Sequence, residues 1–412
     1  MTTELTRRRF LALAGATAGA AAAGAALWPR LVDDHVRGAA DVTPAERGRV
    51  LLVVELAGGN DGLNTLVPAV GAYRDARPTL ALPEADLVPL AGLETHTLHP
   101  ALEPLAGEWS AGRLAAVQGV GIVGQSRSHF AATDRWRAAR EAPGATSWLG
   151  RWLDATGGAD GSPLRAIALG VDTRVLAAED AISTVVLAPD RFRLQVGADA
   201  DADAVIHAFL ETAAPVSAEP SLAAAQRAVP TTVSAVDLLA RAQAGAGVDD
   251  PSVRHGRTTR LLETAARIVG LDVGTQVLVV GVEGFDTHGR QADRHADLLA
   301  DVAGGIRAFL DEMARQGRAD DVLVLTTSEF GRRVAENGSL GTDHGFGNVA
   351  FLAGAPVRGG LVGETGLDRL VDGDLPVEID TRSLYAVALD WLGGPTDEIL
   401  GASYDRFDLL RP

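Results

Sequence analysis

The chain of 412 residues contains no cysteine and no lysine, so that all 37 of its basic residues are arginine. Without cysteine there is no disulfide and no lipid-attachment thiol. The missing lysine reads as a high-GC coding bias with no functional meaning. Positive charge is scarce: 54 acidic residues face 37 basic ones, for a formal net charge of -17. That balance excludes nucleic acid as a partner, because phosphate binding rests on basic surface. It would also repel any anionic polymer unless a cation sat in the site. Long apolar runs are lacking too, since Gly15, Gly19 and Gly24 interrupt the most apolar N-terminal stretch and make a poor spanning helix. Gly58-Gly59-Asn60-Asp61-Gly62 has neither the dinucleotide nor the P-loop spacing, and no Gly-x-Ser-x-Gly elbow surrounds Ser128.

What is present is an ordinary folded composition, 47% hydrophobic and 22% charged. The N-terminus carries Thr6-Arg7-Arg8-Arg9-Phe10-Leu11, followed by a weakly apolar Ala/Gly-rich stretch to Leu27. This is the twin-arginine export pattern, and it predicts a signal peptide and linker over residues 1–40. Cleavage falls after Gly24-Ala25-Ala26 or after Gly38-Ala39-Ala40, with nothing to choose between them. The twin-arginine translocase is then a partner during export, and the destination is periplasmic or extracellular. That route carries folded proteins, so a metal could be loaded in the cytoplasm.

β-Branched apolar runs at Val50–Leu56, Leu114–Val120, Gln276–Val282 and from Val322 predict core strands, with further strands at Ala166–Leu169, Ser183–Leu187 and Asn348–Leu352. Helical spacing of Leu298, Leu299, Val302, Ile306, Phe309, Leu310 and Met313 predicts a long helix between Asp293 and Gln316. A closing helix is expected over Thr381–Leu392. Alternating strands and helices imply an α/β fold, a three-layer α/β/α sandwich with a mostly parallel central sheet. The expected organisation is a single domain over 45–412 with a helical insertion at about 198–271.

In such folds ligands gather beyond the carboxyl ends of the strands. Two exits carry carboxylate and imidazole together: Asp286-Thr287-His288 and, after Ser328-Glu329-Phe330, the loop with Asp343-His344. In extended chain Asp286 and His288 point to one side and could grip one ion. The bland alternative is a turn in which Asp286 caps the next helix. Asp343-His344 lies between Gly341 and Gly345, where small neighbours permit close approach. Glu329 could bind metal, act as a base or pair with Arg332 or Arg333. Asp61 could be a further carboxylate at a strand end, although Asn-Asp-Gly is also an ordinary turn. Ser128 with His129 is the nucleophile candidate, with Arg127 steadying an anionic group, although a plain helix cap is the commoner use of such a serine. The mixed N/O donors suit a divalent metal ion, with Zn, Ca and Mg not distinguished.

The segments ELAGGNDGLNTLVP (Glu55 to Pro68), RSHFAATDRW (Arg127 to Trp136), GFDTHGRQ (Gly284 to Gln291) and SEFGRRVAENGSLGTDHG (Ser328 to Gly345), with the twin-arginine leader, resemble the bacterial DUF1501 family. That resemblance places the chain with the alkaline phosphatase and sulfatase superfamily. It implies an alkaline phosphatase/sulfatase-like fold and a metal-dependent hydrolase of phosphate or sulfate esters, acting on a small-molecule or glycan ester. The implied registration sets one metal between Asp286, His288 and His344, and a second position near Asp61, Glu329 and Ser128, with Phe330 where a histidine is usual. The competing expectation is a non-catalytic exported protein with a degenerate one-metal or metal-free site. Oligomeric state is not legible.

Overall fold

A computed structural model describes residues 48–140, 144–158, 161–189, 202–214, 216–244 and 256–412. The predicted signal segment at 1–40 lies outside these residues. The described residues divide into two compact units, one of 202–214 and 216–244 and the other of 48–140, 144–158, 161–189 and 256–412.

In the larger unit, twelve strands form among the described residues. These are β1 (Val50–Ala57), β2 (Leu66–Pro68), β3 (Val88–Leu90), β4 (Leu93–Leu98), β5 (Leu114–Gly121), β6 (Ala166–Leu169), β7 (Thr184–Val186), β8 (Val277–Glu283), β9 (Val322–Thr327), β10 (Asn348–Ala353), β11 (Gly360–Val362) and β12 (Ile379–Asp380). Nine of them make one sheet in the order β11-β5-β10-β9-β1-β8-β6-β7, with β12 added beside β5. Every pairing is parallel except those of β10, which runs antiparallel to both β5 and β9. The fold is therefore mixed α/β with a large, mostly parallel sheet. Strands β2, β4 and β3 form a separate small antiparallel sheet.

The central strands are apolar because both faces are covered. Leu51, Val53, Val277, Val279, Leu323 and Leu325 pack into one core cluster. With them lie Trp136 from helix α1 (His129–Ala138), Trp148 and Trp152 from α2 (Trp148–Thr156), and Leu384 and Trp391 from a C-terminal helix (Thr381–Leu392). The alternate residues Leu52, Val54, Leu278 and Val280 are fully buried and point the other way. Burying each such side chain contributes about 1.5–3 kcal/mol.

In the smaller unit, α3 (Ala202–Glu211) and α4 (Pro220–Ala244) are the described helices. Gln226 links them, its Oε1 accepting from the Ser217 amide at 2.7 Å and its Nε2 donating to the Thr212 carbonyl at 3.3 Å.

Back in the larger unit, α5 (Arg257–Gly270) packs on β8 and against α6 (Gln291–Arg315), forming the third layer. Asp301 of α6 caps α5 by accepting from the Thr258 and Thr259 amides at 2.8 and 2.9 Å. The C-terminal helix (Thr381–Leu392) is α7.

Strand direction positions the site. β1, β5, β8 and β9 run the same way, so their carboxyl ends open on one edge of the sheet. There β1 runs into Gly58-Gly59, β8 into Phe285-Asp286, β9 into Ser328-Glu329, and β5 into the segment leading to α1.

Candidate metal centre

The loop after β9 does not wander before reaching Asp343-His344. It doubles back as a short ribbon, with Arg332 bridged to His344 and the Arg333 amide donating to the Asp343 carbonyl at 2.9 Å. Gly331 donates to the Phe346 carbonyl at 3.0 Å and Gly345 returns a bond to the Gly331 carbonyl at 2.8 Å. A side chain on Gly345 would meet the Arg332 backbone at 2.5 Å, so this approach requires glycine. His344 is thereby returned to the strand edge, beside Asp286 and His288.

Three imidazoles meet there. His288 Nε2 is 2.8 Å from His344 Nε2 and 3.0 Å from Asp286 Oδ1, and His344 Nε2 is 3.2 Å from that oxygen. His129, the first residue of α1, brings Nε2 to 3.4 Å from Asp286 Oδ2, where it has no hydrogen-bond partner. His129, Asp286 and His344 each offer a ligand atom within 4.8 Å of the others.

The outer nitrogen of each ring decides the chemistry. His129 Nδ1 meets Glu329 Oε1 at 3.0 Å, His288 Nδ1 meets Asp343 Oδ1 at 3.0 Å, and His344 Nδ1 meets the Arg127 carbonyl at 2.6 Å. A carboxylate or carbonyl only accepts, so the partners assign the proton to Nδ1 in all three rings. In its neutral form each ring then turns a bare Nε2 lone pair toward one carboxylate, and two of those lone pairs, of His288 and His344, face each other. This repels unless something positive lies between them. A proton can join two such atoms, whereas the donors of His129, Asp286 and His344, all within 4.8 Å of one another, suit a cation. An outer oxygen on each ring's second nitrogen is the usual support of a metal-bound histidine. Imidazole nitrogen with carboxylate oxygen is a donor set that Zn²⁺ and similar cations accept. The residues present therefore fit a divalent cation.

Partial burial raises Asp286, but the guanidinium of Arg332, which donates to it, pulls it down, and the carboxyl rests at about 2. The hydrogen bond to Glu329 raises His129 above the ordinary imidazole range, while burial lowers His344. Hydrogen bonds from Asn337 and His288 lower Asp343.

Of the residues expected from sequence, Asp286, His288 and His344 come together. Glu329 and Asp343 reach the cluster through the outer ring nitrogens. Glu329 is also anchored by the Gly58 amide at 2.8 Å, and the structure pairs Arg332 with Asp286 at 2.8 Å instead of with Glu329. Asp61 is directed elsewhere. It caps the helical turn Gly62–Thr65 and accepts from Arg77 Nη1 at 2.6 Å and from Gln291 Nε2, all in the interior. Gln291 Oε1 in turn accepts from the hydroxyls of Thr287 at 3.1 Å and Thr342 at 2.6 Å, so Asp61 braces the loops that carry His288 and His344. Ser128 is exposed at the N-cap of α1, and its hydroxyl makes no capping bond. The Arg127 guanidinium pairs with buried Asp374 and lies over the Phe346 ring at 4.5 Å. Phe330 is buried, its ring 5.0 Å from His129 and 4.5 Å from His344.

Two site members escape the reading of the sequence. His129 figures there only as a neighbour of Ser128; its place at the start of a helix entered from a core strand is the available signal. Arg332 gives none, because an arginine in a turn-rich loop looks like surface. His295 is a packing histidine, buried with Nε2 3.0 Å from Asn60 Oδ1.

Comparison with known proteins adds family membership. The profile of the family described as "Protein of unknown function (DUF1501)" matches residues 103–381. Residues 2–34 match the family described as "Ubiquitinol-cytochrome C reductase Fe-S subunit TAT signal", a twin-arginine signal segment. No curated protein matches the chain. Among solved structures, the PsFucS1 sulfatase from Pseudoalteromonas sp. is similar at 13% identity, with a TM-score of 0.38 over 92% of this chain and 75% of that one. The lipoteichoic acid synthase LtaP from Listeria monocytogenes is similar at 10% identity and TM-score 0.37, over 90% and 82%. The phosphonate monoester hydrolase SpPMH from Silicibacter pomeroyi is similar at 11% identity and TM-score 0.34, over 87% and 78%. Among the described residues no helix is long and apolar enough to cross a membrane.

Proposed function

The chain belongs to the DUF1501 family, and from that premise we propose that it is an exported, metal-dependent hydrolase of phosphate or sulfate esters. The observation that carries this reading is the convergence of three Nε2 atoms on Asp286, each ring held from behind by an oxygen. His129, Asp286, His288 and His344 would hold the cation, with Glu329 and Asp343 orienting rings. A cation so bound would supply a Lewis acid to an ester oxygen.

The chain's own groups do the rest. Glu329 keeps the His129 proton on Nδ1, leaving Nε2 free. Ser128, uncapped and exposed at the start of α1, would attack the ester or position water. Arg127, about a third exposed, is the cation nearest that serine in sequence and would steady the anionic group. The substrate would be a small-molecule or glycan ester met in the periplasm or outside the cell, after passage through the twin-arginine translocase.

A second reading, a non-catalytic exported protein with a single bound cation, is favoured by two observations. Asp61 is consumed by Arg77 and Gln291, and Phe330 fills the space beside His129 and His344. Metal analysis of protein purified without chelator tests both readings, with about one divalent ion per chain expected and baseline content expected for His344→Ala. Turnover of aryl phosphate and aryl sulfate panels then separates enzyme from binder. The enzyme reading requires that Ser128→Ala and His344→Ala each abolish it; activity surviving both would sink that reading.

A further inference from the structure

We infer that Arg332 is the positioning residue of this centre, acting through Asp286; the inference rests on the cation reading above. Its side chain is wholly buried, and its donors are spent on three separate segments. Nε donates to the Gly59 carbonyl at 2.7 Å and Nη2 to the Gly58 carbonyl, both just beyond β1. Nη2 also donates to the Phe285 carbonyl at 2.9 Å and to Asp286 Oδ1 at 2.8 Å, beyond β8. Nη1 donates to the Thr342 carbonyl at 2.8 Å, one residue before Asp343-His344.

One planar guanidinium thus gathers every loop that delivers a group to the cluster except the start of α1. The acceptors can reach it because the β1 exit is glycine: a side chain on Gly59 would lie 2.4 Å from the Phe330 ring, and φ there is +79°. The fork geometry matters, because a lysine presents three donors from one point and cannot span acceptors so arranged. Asp286 is otherwise half-exposed and touched only by imidazoles, so Arg332 is what fixes its carboxylate. With Oδ1 on the guanidinium, Oδ2 is the oxygen turned to His129. The Arg332 side chain has no exposed surface and cannot meet a substrate. Its effect passes through Asp286 and the loop carbonyls.

The test uses the full chain with Zn²⁺ as the probe, and Arg332→Lys and Asp286→Asn singly and together. Arg332→Lys should remain folded by circular dichroism and weaken Zn²⁺ by about 10–100-fold. The visible absorption of bound Co²⁺ should shift with it, a change that support of the fold alone would not produce. Because the arginine acts through the aspartate, adding Arg332→Lys to Asp286→Asn should cost less than about threefold more. Wild-type affinity in Arg332→Lys, or losses that multiply fully in the double variant, would overturn the inference while leaving the cation site standing. A lysine variant that fails to fold would make the residue structural and overturn it as well. A wild-type chain that binds no Zn²⁺ removes both readings.

Discussion

Two strand exits on the same edge of the sheet carry an aspartate beside a wholly buried arginine, and they behave in opposite ways. Asp61 follows β1 and pairs with Arg77 at 2.6 Å; Asp286 follows β8 and pairs with Arg332 at 2.8 Å. Around Asp61 the arginine, Gln291 and a helix-turn amide take the carboxylate from all sides, in the interior. Around Asp286 the arginine takes one oxygen, and the remaining directions face three imidazole nitrogens and water. A carboxylate with every acceptor position filled by protein is architecture. One with positions left open beside bare ring nitrogens leaves room for the proposed cation. What separates them is the count of donors that reach each oxygen, not the local sequence.

The contrast predicts losses that cross. Asp61→Ala would leave the Arg77 charge buried without its partner, a change that costs about 3–5 kcal/mol. Urea unfolding should register that loss, and the protein that remains folded should still bind cation. His344→Ala should do the reverse, eliminating bound cation while lowering stability by no more than about 1–2 kcal/mol. If Asp61→Ala leaves stability intact and removes the cation, the roles given to the two aspartates are wrong.

The next effect concerns the oxygens behind the rings. Glu329→Gln keeps an acceptor for His129 Nδ1 and the Gly58 amide but loses the charge. Cation affinity should fall by about 10–100-fold without disappearing, the size expected of a group that orients a ligand. Complete loss of the cation in a folded Glu329→Gln protein would show that Glu329 is itself a ligand.

These cases mark how far the residues alone can be followed. Strands β1, β8 and β9 are legible because a strand buried on both faces must be continuously apolar, and α6 because its period is helical. Strands β2, β3, β11 and β12 are too short to show a period, and β4, as long as β9, is mostly polar between Leu93 and Leu98. The antiparallel course of β10 is set by its neighbours β5 and β9, and nothing in Asn348–Ala353 encodes direction. Asp286, His288 and His344 stand out as side chains just past strands. Asp61 stands out equally, because an Asn-Asp-Gly turn does not reveal that Arg77 and Gln291 will close over it. His129 is hidden for a similar reason: the carboxylate that fixes its tautomer lies 200 residues away in sequence.

Burial in the closed region keeps its two histidines neutral, which predicts a modest dependence on pH. Burial lowers His295 to about 3 and His99, beside it, to about 4. Both stay neutral in the fold and take up protons when unfolded below about 6.5. The unfolded state then binds more protons, so stability is full above that pH and falls as pH drops toward 4. The slope is about 1.4 kcal/mol per pH unit for each histidine. His295→Gln should reduce the slope measured by urea unfolding between pH 6 and 4.5, taken as approximate limits, by about one proton. An unchanged slope would mean that His295 is not held neutral.

The smallest effect should come from Asp343, and its smallness is informative. It supports His288 from behind as Glu329 supports His129, but the two pairs sit in different solvent. Asp343 is 57% exposed and His288 44%, whereas Glu329 is 3% exposed. Water screens an exposed pair, and such pairs are worth about 0–1 kcal/mol. An amide in place of the carboxylate would still offer an oxygen to His288 Nδ1, so Asp343→Asn should weaken cation binding by no more than about fivefold. The ratio between the Glu329→Gln and Asp343→Asn losses, measured in one Zn²⁺ competition series, therefore reads burial directly. Equal losses would mean that the charge on these outer carboxylates acts through solvent, and that the enclosed position of Glu329 adds nothing to the site.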